Sequence, residues 1–380
     1  MNNGSDSSEY AYLRAVVQSM TYTHSEELLL TVILPIIFTV GVVGNLFVIV
    51  IFIRLKSMRT APYVYLFTLA VVDMLFLLLM APVQWIMYLS SRIHEDFSSL
   101  GVVSCKFYLT IQDFCVLFSA VIFTCVTIER YRAICHPMTL DKSKVSKRST
   151  IACIVSSVVI IIYKIPTFTF ATLAEYPILV GMNENITSHF PEFPDYALVC
   201  VYCNGLKTPV RCDNFNKTFY FDSFITVIIV PCVSTLYIII LIHLCNRQNI
   251  SDTGGSSAHL TKMKIQSAIM IFVVLFLFII STVPIRVFTF VYNLHANKFE
   301  EKLVSEDTLS SIIFTSRILI FLNSAANPII YHIVSSKYRT AFRKGILFQN
   351  LRHSEKSYTR SRLTRETKLS IIQGKQIILD

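Results

Sequence analysis

The sequence predicts an all-α membrane protein, a seven-transmembrane helix bundle with a short amphipathic helix after span seven. Composition is the first reason, because 53% of the 380 residues are hydrophobic and only 15% are charged, against about 25% charged in soluble domains. The second reason is a series of apolar runs of about 20 residues or more, the length that crosses a bilayer. The third is the net charge of +10, which concentrates on one side of these runs.

Seven apolar runs are the predicted spans, and together they occupy residues 28–334. They are Leu28–Ile53, Tyr63–Leu89, Lys106–Glu129, Thr150–Leu173, Tyr220–Leu244, Ile265–Tyr292 and Leu309–Val334. Residues 1–27 lack the basic start and apolar core of a signal peptide. We therefore expect the first span itself to translocate this segment.

Lys and Arg residues predict the orientation, because the cytoplasmic loops of membrane proteins are enriched in them. They are densest between spans three and four and after span seven. The sequence therefore predicts a multi-pass plasma membrane protein with an extracellular amino terminus. Since the positive charge follows the membrane, it does not indicate a nucleic-acid partner. Three sequons fall on the predicted outer side and would be glycosylated, at Asn3, Asn185 and Asn216.

Cysteines on the predicted outer side suggest a disulfide. Cys105 lies at the outer end of span three, and Cys200, Cys203 and Cys212 lie in the long loop before span five. The oxidising exterior would allow Cys105 to bond to one of them and tie this loop over the mouth of the bundle. We favour Cys200 as the partner, which leaves Cys203 and Cys212 either to pair locally or to remain free thiols.

Several short motifs occur in one order and at matching depths in the spans. They are Gly44-Asn45, Leu69-Ala70-Val71-Val72-Asp73, Cys105, Glu129-Arg130-Tyr131, Pro231, Phe278, Pro284 and Asn327-Pro328-Ile329-Ile330-Tyr331. Together they resemble the rhodopsin-like family of G-protein-coupled receptors, over roughly residues 28–348. The resemblance implies a receptor rather than an enzyme. It would transmit ligand binding to a heterotrimeric G protein by outward movement of span six.

An acid in mid-membrane such as Asp73 costs several kcal/mol unless it finds a partner, so it should face the bundle interior. Ser119, Asn323 and Asn327 are polar groups at matching depth. The resemblance implies that these four residues hold an allosteric sodium ion, and no other cofactor is expected. A purely structural hydrogen-bond network is the alternative.

The inner ends of spans three and seven carry the predicted G-protein switch. Glu129 is a local lock for Arg130, which the resemblance implies is freed to contact the G protein; Tyr131 completes that motif. Pro328 removes a helical hydrogen bond and weakens span seven. Asn327 and Tyr331 flank this break.

The chain after span seven is predicted to leave the membrane. Residues 335–348 alternate basic and apolar side chains at helical spacing, which predicts an amphipathic helix on the lipid of the inner leaflet. Residues 349–380 scatter Ser and Thr among basic residues and are predicted to be disordered. The resemblance implies phosphorylation by receptor kinases and capture by arrestin; a merely solvated basic tail is the alternative.

Some positions depart from the family pattern. Thr282 stands two residues before Pro284, where a Trp is typical, and Ile239 stands eight residues after Pro231, where a Tyr is usual; Tyr237 is nearby on another face. Cys115 occupies a position where relatives often have Asn. These departures leave the activation trigger and the affinity for sodium open.

Residues at pocket depth narrow the ligand class. Gln112 stands where amine receptors have an Asp, and Asp113 points about 100° away on the helix, so amines are disfavoured. Arg286 and Arg317 lie in the outer halves of spans six and seven, where an arginine needs an anion or an acceptor-rich group. Either Asp113 neutralises one of them, or they bind acceptor groups of a peptide. Aromatic residues would line the same pocket, namely Trp85, Tyr108 and Tyr292.

The sequence therefore predicts a receptor for an extracellular neuropeptide, resembling the FMRFamide-like and the somatostatin-like or galanin-like branches. A chemosensory or lipid receptor of the same fold is the main alternative. A small-molecule transporter is less favoured, because transporters often show paired inverted halves and the chain has no internal repeat.

Overall fold

The computed structural model describes residues 14, 17–18, 20–135, 145–179, 193–202, 222, 228–229, 231–240, 242–243, 256–296, 304 and 306–346. Several predicted features lie outside these residues. They are the sequons at Asn3, Asn185 and Asn216, the second cysteine pair Cys203 and Cys212, and the tail 349–380.

Helices make up nearly all of the described structure. They are α1 (His24–Arg54), α2 (Ala61–Ser90), α3 (Gly101–Cys135), α4 (Val145–Phe170), α5 (Pro231–Ile240), α6 (Ser256–Ala296), α7 (Glu306–Val334) and α8 (Ser336–Ile346). Among the described residues, α1 to α4, α6 and α7 are each long and apolar enough to cross a membrane, and α5 is a shorter apolar helix within predicted span five. The all-α membrane class is confirmed.

Local sequence explains where the first helices begin. Thr23 caps α1, because its side chain accepts from the Glu26 backbone N–H while the Glu26 carboxylate accepts from the Thr23 backbone N–H, a capping box. Pro62 lies in the first turn of α2, where a missing N–H costs nothing. The helices run past most of the apolar runs, since helical hydrogen bonding does not stop at the membrane edge. At the end of predicted span four, however, Leu173 belongs to a strand instead.

Two glycines allow α1 to pack closely against its neighbours. A Cβ atom at Gly41 would lie 2.5 Å from Leu77 Cδ1 of α2 and 3.0 Å from Ala325 Cβ of α7. A Cβ at Gly44 would lie 3.0 Å from the ring of Pro328. These close approaches bring α1, α2 and α7 together around the polar residues of the bundle centre.

A small β cover lies over one end of the bundle, which is called the outer end after the predicted orientation. Strands β1 (Thr172–Pro177) and β2 (Tyr196–Val201) pair antiparallel, and the predicted Cys105–Cys200 disulfide is present. The loop between α2 and α3 bridges to this hairpin at Asp96 and Val199, and to the segment before α1 at Ile93 and Thr21. The segment before α1, the α2–α3 loop and the hairpin are thus joined in one layer.

At the inner end, α8 follows α7 after a one-residue break and packs against α1, where the Phe342 ring meets Phe47 at 5.5 Å. The Tyr338 side chain is buried. Lys337 lies 4.6 Å from the centroid of the Tyr63 ring. The apolar side of α8 therefore faces the bundle.

Candidate functional site

Asp113 of α3 lies at the centre of a buried group of ions in the outer half of the bundle. Its Oδ1 accepts from Arg286 Nη2 of α6 at 3.4 Å and from the hydroxyl of Tyr202 at 3.3 Å. Its Oδ2 accepts from Lys164 Nζ of α4 at 3.3 Å. Of the two predicted alternatives for Arg286, the structure therefore shows neutralisation by Asp113.

Lys164 reaches a second carboxylate as well. Its ammonium also pairs with Asp222, at the start of predicted span five, and the hydroxyl of Tyr163 donates to Asp222 Oδ1 at 2.7 Å. We call Asp113, Lys164, Asp222 and Arg286 the outer ion cluster. It contains two carboxylates and two cations, so its formal charge is balanced, as a buried group of ions requires.

Arg317 of α7 belongs to a second group of polar side chains. Its guanidinium pairs with Glu95 of the α2–α3 loop and donates to Gln84 Oε1 at 3.2 Å. Gln84 Nε2 in turn donates to the Tyr108 hydroxyl at 2.9 Å. The positive charge of Arg317 holds the pKa of Glu95 below its ordinary value. Arg317 is therefore paired with the loop, not with Asp113.

His94 connects this loop to the start of α1. Its Nε2 lies 3.1 Å from Glu26 Oε2, and its ring meets the Tyr22 ring edge-on at 4.3 Å. Burial lowers the pKa of His94, although Glu26 and Glu95 pull it the other way. Desolvation thus outweighs the two acids and favours the neutral imidazole.

The other predicted ligand residues are not all brought together. Trp85, predicted to line the ligand pocket, turns toward α1, where its Nε1 donates to the Leu30 carbonyl at 3.0 Å. Tyr292 stacks on Phe288 at 6.0 Å along α6. Gln112 is half-buried next to Asp113. Helix rotation explains the difference, because depth in a span does not determine which neighbour a side chain faces.

Polar side chains meet in the middle of the bundle. Asn327 Nδ2 donates to Asp73 Oδ2 at 2.7 Å, and Ser119 is buried. Among the described residues, the buried Oδ1 atoms of Asn323 and Asn327 have no hydrogen-bond partner. Amide and carboxylate oxygens are ligands that a hard cation prefers, and of the four predicted ligands Asp73 and Asn327 are joined by a hydrogen bond. Cys115 supplies only a sulfur, which points to the Val72 carbonyl at 4.0 Å.

The predicted lock between Glu129 and Arg130 is wrong. Arg130 Nη2 donates to Ser267 Oγ of α6 at 2.9 Å, whereas Glu129 Oε2 accepts from Ser149 Oγ of α4 at 2.7 Å. Consecutive residues on a helix point about 100° apart and do not face each other. The contact that holds Arg130 therefore comes from another helix.

Three tyrosines lie in the inner halves of the helices, namely Tyr131, Tyr237 and Tyr331. Tyr237 of α5 is fully buried and donates to the Ala268 carbonyl at 3.2 Å, while Ile239 is 43% exposed. Tyr131 packs near Ile134, Ile240 and Ala268. Tyr331 is fully buried and meets Tyr338 of α8 at 5.9 Å. The tyrosine that faces α6 is thus two residues earlier than the family spacing implies.

The model of the 7 transmembrane receptor (rhodopsin family) matches residues 44–331 of the chain. The chain belongs to this family. It is therefore a G-protein-coupled receptor and not an enzyme, in agreement with the sequence-based prediction.

Several curated receptors are similar to this receptor. Growth hormone secretagogue receptor type 1 of Sus scrofa is 26% identical over 313 residues, covering 82% of this chain and 79% of that protein. Neuromedin-U receptor 2 of Mus musculus is 28% identical over 320 residues, covering 82% and 74%. Thyrotropin-releasing hormone receptor of Ovis aries is 26% identical over 328 residues, covering 81% and 75%.

Sequence reasoning missed three charged participants in the receptor's outer half. Lys164 lies within predicted span four, Asp222 at the start of predicted span five and Glu95 between spans two and three, and none of them was predicted as a site residue. The signal for the first was present, because a lysine inside an apolar run must find a partner. Nothing in the spacing identified which carboxylates it would meet.

Proposed function

We propose that this receptor binds an extracellular neuropeptide in the outer half of its bundle and activates a heterotrimeric G protein at the inner end. The observation that carries the proposal is the pair of arginines, Arg286 and Arg317, held in the outer half with side chains 14% and 16% exposed. The names of the similar receptors refer to peptide hormones, which supports the same class.

The arginines indicate which part of a peptide would bind. A guanidinium has five N–H donors, and the Arg286 contact to Asp113 uses one of its nitrogens at 3.4 Å. Carboxylates, carboxamides and backbone carbonyls are the acceptor groups that a peptide end presents. A lipid ligand, the main alternative, prefers an apolar pocket, and the outer ion cluster is charged.

The branch within the neuropeptide receptors is a finer proposal. A basic peptide that ends in an amide, as in the FMRFamide-like branch, would be attracted by acidic residues of the predicted outer segments, such as Glu27, Asp96 and Glu175. It would also present an acceptor to the arginines. The similar receptors reported above carry the names of other hormones. The somatostatin-like and galanin-like branches therefore remain alternatives within the same proposal.

Transmission to the G protein would use the inner contacts. Peptide binding would favour a state in which α6 swings outward, so that Arg130 leaves Ser267 and contacts the G protein. In the middle of the bundle, a sodium ion would be held by Asp73, Ser119, Asn323 and Asn327. Its positive charge would offset the negative charge of Asp73.

Further partners follow from the same proposal. An extracellular amino terminus would place the β cover on the ligand side, and the basic face of α8 would lie on anionic lipid headgroups. Receptor kinases and arrestin would act on the tail. Glycosidase treatment of intact cells tests the orientation, because only external sequons carry glycans that it could remove.

The proposal is tested with purified receptor in nanodiscs and a panel of G proteins. A library of neuropeptides, in which each amidated peptide is paired with its free acid, should contain members that accelerate GDP release. Arg286→Ala and Arg317→Ala should each weaken the response at least about tenfold, as expected when a charged hydrogen bond is lost. Arg92→Ala, at an exposed loop position, is the control. Activation by a lipid panel and by no peptide would overturn the proposal.

A further inference from the structure

We propose that Lys164 is a reserve counter-ion for Asp113, which allows the Asp113–Arg286 ion pair to open when a ligand takes Arg286. The pair would then be the trigger that holds α6 against α3, and Lys164 would be the positioning residue that makes it releasable. This inference rests on the proposed binding of a peptide acceptor group at Arg286.

The position of Arg286 suits a trigger. It lies two residues after Pro284 in α6, the helix that must move, and its partner Asp113 lies on α3. Thr282, one turn before Arg286, is buried but has a small side chain in place of the usual Trp. A ligand therefore has an ion pair to act on one turn away from the position where the family pattern has a Trp.

The geometry of the pair makes its opening feasible. A single contact of 3.4 Å joins Arg286 Nη2 to Asp113 Oδ1, without the two parallel bonds of a strong arginine–carboxylate pair. The Arg286 side chain is 14% exposed, whereas that of Asp113 is 4% exposed. Arg286 is thus the partner that an incoming group can reach.

Opening this pair would normally be costly, because it would leave a buried carboxylate without compensation. Asp113 has a second cation, since Lys164 Nζ lies 3.3 Å from its other oxygen, Oδ2. The Tyr202 hydroxyl also donates to Oδ1 at 3.3 Å. Asp113 therefore keeps a cation and a hydrogen bond after Arg286 leaves, with Lys164 shared between Asp113 and Asp222.

Lys164 can act as the reserve counter-ion because other residues hold its side chain in place. Its ammonium pairs with Asp222 as well as Asp113, and Tyr163 donates to Asp222 from the neighbouring position on α4. The side chain is only 3% exposed, so solvent and ligand do not reach it. It would remain beside Asp113 while Arg286 moves with α6.

Ligand-free GDP release by G proteins with purified receptor in nanodiscs tests this inference without a known peptide. Arg286→Gln should raise basal release by about fivefold, the low end of coupling between sites, because the pair is lost. Lys164→Gln should lower basal release, because Arg286 is then the cation that remains beside Asp113. Lys164→Arg keeps the charge and should behave like the wild type. Lys106→Gln, at an exposed lysine that contacts α4 at the Thr169 carbonyl, is the control.

Double variants separate the reserve role from a simple structural role of Lys164. Asp113→Asn added to Lys164→Gln should raise basal release again, to the level of Asp113→Asn alone, because the pair with Arg286 is then absent and Asp113 has no charge for Lys164 to balance. Rescue by Asp222→Asn but not by Asp113→Asn would overturn the inference, as would a rise in basal release in Lys164→Gln itself. If no peptide activates the receptor while these basal effects appear, the proposed ligand class fails and the trigger stands.

Discussion

Arg130 of α3 and Ser267 of α6 are joined by a hydrogen bond of 2.9 Å across the inner end of the bundle. The neighbouring Gln266 accepts from Ser336 of α8 at 2.6 Å. Two adjacent residues therefore hold the inner half of α6, one to α3 and the other to α8. The hydrogen bond to the charged Arg130 contributes about 1.5–3 kcal/mol and the neutral one about 0.5–1.5 kcal/mol, so these contacts stabilise the inner face only modestly.

Replacing Ser267 with Ala should raise ligand-free signalling. The loss of about 1.5 kcal/mol would increase the open population by about tenfold, and basal GDP release by G proteins measures it. Ser157→Ala is the matched control, because Ser157 is exposed and bonds only to its own helix at the Ile154 carbonyl. Equal basal rates in the two variants would contradict the role of Ser267.

Replacing Arg130 with Ala should abolish stimulated GDP release while peptide binding persists. The guanidinium is the group that we expect to contact the G protein, and it lies far from the outer ligand site. Arg59→Ala is the control, since Arg59 is an exposed arginine on the inner side that donates to the Ile53 carbonyl. Intact signalling in Arg130→Ala would count against the assignment of the inner switch.

Acidification should destabilise the outer cover through His94. Its folded-state pKa lies below the ordinary value of 6.5 because of burial, so the stability it contributes is present above pH 6.5 and is lost as the pH falls through the lowered pKa. The groups that face it are Tyr22, Glu26, Glu95 and Arg317.

The measurement is the melting temperature of the receptor in nanodiscs between about pH 7.5 and 5.5, the interval that contains the ordinary pKa of His. His94→Gln should reduce the fall in melting temperature as the pH decreases, because the imidazole that takes up the proton is removed. His24→Gln, whose side chain is 97% exposed, should leave it unchanged. A wild-type melting temperature that does not depend on pH in this interval would rule out the effect. The pKa of Glu95 is lowered from 4.5 by Arg317, so the stability that Glu95 contributes is lost only at lower pH.

Replacing Gly44 with Ala should destabilise the packing of α1 on α7. The added Cβ would lie 3.0 Å from two carbons of the rigid Pro328 ring, and overpacking of this kind costs about 1–3 kcal/mol. The melting temperature should fall by several degrees. Val43→Ile adds a methyl group at a position that is 46% exposed and should have little effect. A melting temperature equal to that of Val43→Ile would show that α1 moves aside freely.

Sodium chloride should stabilise the receptor more than potassium chloride at equal ionic strength. A cation that binds only the folded state raises stability by mass action, and Asp73 would be its charged ligand. Asp73→Asn should make the melting temperatures in the two salts equal. A sodium effect that persists in this variant would move the site elsewhere.

Much of the fold was predictable because each segment that crosses the bilayer must itself be apolar over about 20 residues. The apolar runs predicted α1 to α4, α6 and α7, and the alternation of basic and apolar residues predicted α8. The side of the membrane limited the partner of Cys105 to Cys200, Cys203 or Cys212, and the favoured Cys200 is the one that pairs. The candidate site was less predictable: Arg286, Arg317 and Asp113 were recognised as costly charges, but Lys164 and Asp222 were not assigned to them.

The sequence by itself thus determined which segments enter the membrane and which charges there need partners, because the length of an apolar run and the cost of a buried charge depend on the chain alone. Only the tertiary structure decided the partners: Asp113 for Arg286, Glu95 for Arg317 and Ser267 for Arg130. The physical reason is that each helix can rotate about its axis without changing its apolar length. Packing against neighbouring helices selects the rotation, and with it the side chains that meet.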